Sequence, residues 1–63
     1  MNEQEAAEMT LLAIRGAVAG LPKEIQIKID TLADKIRTIV DSDKEFGRAA
    51  LGLVGAEYAA KED

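Results

Sequence analysis

Hydrophobic positions in residues 22–41, PKEIQIKIDTLADKIRTIVD, follow two incompatible rhythms. Ile25, Ile27 and Ile29 alternate with polar residues, the period of a half-buried strand. Ile25, Ile29, Leu32, Ile36 and Ile39 recur at spacings 4, 3, 4, 3, the period of an amphipathic helix. At about 100° per residue these five positions, widened by Ala33 and Val40, span an arc of roughly 120°. Gln26, Lys28, Asp30, Thr31, Asp34, Lys35, Arg37 and Thr38 occupy the rest of the ring. The helical period runs through residues 25–40 and the alternation through only 25–29, so the pattern predicts a helix. Ile27 is then left on the polar face, beside Thr31, Asp34 and Thr38. Pro22 suits the first turn of this helix, and Glu24 sets a carboxylate near its positive end.

The preceding segment, EQEAAEMTLLAIRGAVAGLP, predicts a first helix over about residues 3–19. Gly20 at a left-handed C-terminal position, then Leu21 and Pro22, form its stop signal. So short a connection predicts an αα-hairpin. Beyond it, Asp43 falls where the apolar stripe would continue, and Ser42 with Glu45 has the spacing of a capping box. A third helix over about residues 43–60 follows. A single long helix through Val40–Lys44 is the competing expectation, since no Gly or Pro interrupts that stretch.

The outer helices have too little polar surface. On the first, Ala7, Leu11, Ile14, Val18 and Leu21 form one stripe, small residues form a second beside it, and Met9, Leu12 and Gly16 extend the apolar surface. The third repeats the arrangement: Leu51, Val54 and Tyr58 lie near one side, and Ala49, Gly52, Ala56 and Ala59 make a small-residue row. Glycine within a helix costs about 1 kcal/mol relative to Ala. Gly16, Gly47, Gly52 and Gly55 therefore predict close backbone approach of a packed neighbour. A helix apolar nearly all round is covered on more than one side, and three short helices in one copy offer about one face each. The expectation is a homodimeric bundle whose interface includes Met9, Leu12, Gly16, Leu51, Gly52, Gly55, Ala56 and Tyr58. The plainer alternative is that Ala and Gly simply tolerate exposure.

Composition narrows the chemistry. Sixty-three residues suffice for one domain, residues 1–63, near the lower limit for folding alone. Hydrophobic residues make up 48% of the chain, enough to predict a packed core. Without Cys or His there is no disulfide framework, no ordinary zinc site and no nucleophile–base pair. Carboxylate pairs such as Asp30/Asp34 and Asp41/Asp43 read as solvated surface, and so small a chain has little room for a substrate pocket. DSDKEF begins like a calcium loop but lacks its sixth-position Gly and twelfth-position acid. No catalytic, cofactor-binding or metal-binding residue is expected, nor any small-molecule substrate.

The formal net charge is −4, and nucleic-acid affinity rests on neutralising phosphates. A helix-turn-helix reader would need base-reading side chains on its last helix, which has only Lys44, Arg48 and Lys61 as basic residues and no Asn or Gln. Lys35, Arg37, Lys44 and Arg48 could cluster at the junction of the second and third helices, which leaves a nucleic-acid-associated regulator as one alternative. An acidic DNA mimic is another, opposed by the Lys and Arg interleaved through the second helix. The start MNEQEAAEM is acidic where a leader would be basic, and the longest uncharged run, Ala49–Ala56, is too short to span a bilayer. A cytoplasmic protein is expected.

In its length, the acidic start MNEQEAAEM, the all-helical pattern without Cys or His, and the end AAKED, the chain resembles the short helical early-region proteins of the exo–xis region of lambdoid bacteriophages. That resemblance implies a small protein acting on host machinery by binding, in the host cytoplasm. The combined expectation is an all-α, non-enzymatic protein–protein interaction module, an accessory regulator. Ile27, Thr31, Asp34 and Thr38 are its expected partner-binding patch.

Overall fold

In the computed structural model, which describes residues 2–61, the chain forms three α-helices: α1, Glu3–Ala19; α2, Lys23–Asp41; and α3, Gly47–Lys61. No strand occurs among the described residues, so the helical period of α2 prevails over the Ile25–Ile29 alternation. The chain divides into two compact units, with the boundary between Asp30 and Thr31 inside α2.

In the first unit α1 starts at Asn2, whose side-chain oxygen accepts the Glu5 N–H at 2.8 Å. Glu3 and Glu5 set carboxylates against the positive end of the helix. At the other end Gly20 is not left-handed: φ is −82° and ψ −5°. The last turn tightens instead, with Gly20 donating to the Ala17 and Gly16 carbonyls at 3.3 and 3.2 Å and Leu21 to that of Val18 at 3.0 Å. These bonds satisfy the terminal carbonyls without a positive φ. Pro22 lies just before α2 rather than within it. Its carbonyl accepts from Ile25 and Gln26, both at 3.0 Å, and the N–H it lacks would have had no helical partner at this position.

Gln26 does more than its place on the polar ring suggested. Its side-chain amide donates to the Leu21 carbonyl at 2.8 Å and to that of Ala19 at 3.3 Å. One half-buried side chain from α2 thereby caps the end of α1 and holds the connection closed.

In the second unit Ser42 ends α2 and does not begin α3. Its hydroxyl donates to the Ile39 carbonyl at 2.6 Å, and its N–H points back to Thr38 and Ile39. Asp43 supplies the cap, accepting the N–H groups of Glu45 and Phe46 at 3.0 and 2.9 Å on one side-chain oxygen. The expected Ser42–Glu45 capping box is thus replaced by a division of labour. A hydroxyl can donate and so satisfies a C-terminal carbonyl, whereas a carboxylate offers only acceptors and suits N-terminal N–H groups. α3 proper begins at Gly47, four residues later than expected, because residues 44–46 form the capped turn. The break also excludes the single long helix.

Gly47 is the one buried residue among those described. A Cβ there would stand 2.8 Å from the Val40 carbonyl carbon and 3.1 Å from its Cα, and would collide with the carbonyl oxygen. Here a glycine permits α3 to begin directly against the backbone of α2. The other interior glycines do not repeat this. A Cβ at Gly16, Gly52 or Gly55 would meet nothing within 4 Å, so the close approach expected for all four exists in this chain at Gly47 alone.

No hydrophobic side chain among the described residues is buried. Val18, Ile29, Ala33 and Val40 are half-buried and the larger apolar residues are exposed. On α2 the half-buried positions Gln26, Ile29, Ala33 and Val40 cluster roughly 60° to one side of the centre of the apolar stripe. The stripe is therefore half used. Ile29, Ala33 and Val40 turn toward the neighbouring helices of their own units, and Leu32 and Ile39, 58% and 70% exposed, lie on the uncovered side.

Candidate interaction surface

The uncovered half of the stripe continues into a groove. In the second unit Ile36, Ile39 and Val40 of α2 face Ala50, Leu51 and Val54 of α3 across an apolar groove of about 420 Å³, with Asp43, Phe46 and Gly47 at its closed end. The close approach of Gly47 to Val40 sets this end. Phe46 stands beside it, 62% exposed, its backbone N–H held by Asp43. Asp43 is the only charged residue of the lining, and its carboxylate already accepts two backbone N–H groups. An apolar occupant would meet no charged residue there without a partner.

The expected interface residues fall in both units. Leu51 lines the groove, and Tyr58 falls on the same side of α3, its ring under the Lys61 ammonium at 5.4 Å. Gly52 and Ala56 lie on the other side of α3, with Gly55 between the two. Met9, Leu12 and Gly16 share an exposed face of α1, in the other unit. Phe46, Ile36 and Ile39 were absent from the expected interface. Phe46, expected within the third helix, lies in the turn before α3.

Ile27 projects from α2 on the side away from Ile29, Ala33 and Val40, and is 55% exposed. Around it Asp34 is paired with Arg37, and the Thr38 hydroxyl donates to the Asp34 carbonyl at 3.0 Å. Thr31 is exposed on the same side. The expected patch is contiguous on one helix face, and its polar members Asp34 and Thr38 are engaged within the helix.

Basic charge does not accumulate at the junction of α2 and α3. Lys44 and Arg48 border an open cleft of about 340 Å³ together with Asp41 and Asp43, and Arg37 is committed to Asp34. The mixture of signs gives a phosphate backbone no concentrated positive field. Among the described residues, no group of three or more acidic side chains is placed to hold a metal ion, and no helix is long and apolar enough to cross a membrane. Compared with protein-family models, curated proteins and solved structures, the chain matches none.

Proposed function

We propose that this protein is a non-enzymatic protein–protein interaction module that works as a homodimer, in the manner of an accessory regulator. One observation carries the reading: among the described residues no hydrophobic side chain is buried, and fifteen large ones, from Met9 to Tyr58, are exposed. Exposed apolar side chains in that number suit association better than catalysis, which needs convergent polar groups in a pocket.

The resemblance to early-region phage proteins supports a regulator acting on host machinery in the host cytoplasm. The face around Ile27, Thr31, Asp34 and Thr38 is the proposed contact for that unidentified protein partner. Sedimentation equilibrium across micromolar concentrations tests the dimer, together with melting at several protein concentrations. Association stabilises the folded state by mass action, so Tm should rise with concentration. A well-folded 6.8 kDa species throughout would refute the reading.

A further inference from the structure

Resting on the dimer reading, we propose that two copies of this chain meet through α1. The exposed Met9–Leu12 face of each copy packs antiparallel on the same face of the other, and Glu8 of each pairs with Arg15 of the other.

α1 presents this face on the side away from its own neighbour. At about 100° per residue, Glu5, Met9, Leu12 and Gly16 fall within roughly 60° of one another, about 150° round the helix from half-buried Val18. Met9 is 56% exposed and Leu12 66%. One edge of the face carries the small residues Ala6 and Ala13. The other carries Glu8 and Arg15, a heptad apart and both exposed. Neither charge is engaged within the chain, because Arg37–Asp34 is the one ion pair among the described residues.

The order of these charges says what covers the face. Charges along the edge of a helix–helix contact set the choice of partner and its direction. Place a two-fold axis between residues 10 and 11 and run the second α1 antiparallel. Met9 of each copy then lies opposite Leu12 of the other, and Glu5 lies opposite Gly16. The same register brings Glu8 beside Arg15 on one edge, twice over, and Ala6 beside Ala13 on the other. No carboxylate faces a carboxylate. Parallel pairing would set Glu8 and Arg15 beside Ala13 and Gly20 and leave both charges unmatched. Antiparallel packing also sets the positive end of each helix beside the negative end of its twin. The first unit carries five acidic and three basic side chains, a surplus screened beyond about 8 Å at physiological ionic strength, whereas the Glu8–Arg15 pairs act at contact range. The α2–α3 groove has no comparable guide. Its one charged lining residue, Asp43, already accepts two backbone N–H groups.

Charge reversal tests the pairing by sedimentation equilibrium, with helicity followed by circular dichroism. Glu8→Arg and Arg15→Glu should each weaken dimerisation by about 10-fold, since two exposed pairs turn repulsive at once. Mixing the two single variants should restore wild-type affinity as a heterodimer, and so should both changes in one chain. Glu8→Arg is the sharper of the two: it lowers the net negative charge, so general repulsion alone would predict tighter association. A wild-type dimer indifferent to both single changes overturns the α1 pairing and leaves the dimer standing. So does a dimer weakened by them without recovery in the mixture. A folded wild-type monomer overturns both. Should either variant fail to fold, isotope-filtered NMR on mixed labelled and unlabelled wild-type chains decides. Contacts between copies from the Met9 methyl to the Leu12 methyls support the pairing, and contacts between copies that exclude α1 refute it.

Discussion

Replacing Gly47 with alanine adds one methyl group where the start of α3 meets the backbone of α2. The new Cβ would stand 2.8 Å from the Val40 carbonyl carbon and 3.1 Å from its Cα, and would overlap the carbonyl oxygen. These are backbone atoms within α2, with no rotamer to turn away, so α3 must shift bodily. Overpacking a close contact costs about 1–3 kcal/mol, and an immovable neighbour places this one near the upper end. Alanine's better helix propensity returns up to about 1 kcal/mol. The net expectation is a loss of about 2 kcal/mol, a fall in Tm of about 10 °C for a chain of this size. Thermal and urea unfolding followed by far-ultraviolet circular dichroism, at one fixed protein concentration, measures it. Gly16→Ala is the control: its Cβ meets nothing within 4 Å, so it should gain up to about 1 kcal/mol. A Gly47→Ala protein as stable as wild type would refute the claim that backbone contact at Val40 sets the α2–α3 approach.

Three further substitutions probe other parts of the chain. Asp43→Ala removes the acceptor for two N–H groups at the start of α3 and should cost about 1 kcal/mol, with Asp43→Asn restoring most of it; equal unfolding midpoints for Ala and wild type would show that the cap contributes nothing. A Cβ at Gly52 would meet nothing within 4 Å, so Gly52→Leu should raise stability by up to about 1 kcal/mol through helix propensity. A loss of about 1–3 kcal/mol would instead place a second copy against the small-residue row of α3. Ile27→Lys should preserve both helicity and the sedimentation-measured dimer while reducing capture of a cellular protein by about 30-fold or more, the scale of a central contact residue. Dissociation of the dimer by this change would make Ile27 part of the assembly rather than of the partner surface.

Local chemistry written along the chain determined a good deal here. The boundaries of α1, Glu3–Ala19, follow from an Asn able to cap, acidic residues in the first turn and the Gly-Leu-Pro that ends the helix. The helical character of α2 follows from a period sustained through residues 25–40, because each added turn reinforces the same face. That the chain has more apolar surface than three helices can cover was also legible, since counting hydrophobic positions on each helix needs no tertiary information.

What only the tertiary structure decided depends on how the helices meet. Ser42 and Asp43 are both capable caps, and sequence spacing favoured Ser42. The assignment turned on which groups lay within reach, a carbonyl of α2 for the hydroxyl and N–H groups of the turn leading into α3 for the carboxylate. Four interior glycines looked equivalent, and only the crossing at Val40 singled out Gly47. The groove itself depends on the rotation of α2 about its own axis. Periodicity defines the width of an apolar stripe but not which edge a neighbour covers, because neighbouring positions on one face have nearly the same hydrophobicity. The α2–α3 approach at Gly47 turned Val40 inward and left Ile39 outside, and steric contact, acting at ångström range, made that choice where hydrophobicity could not.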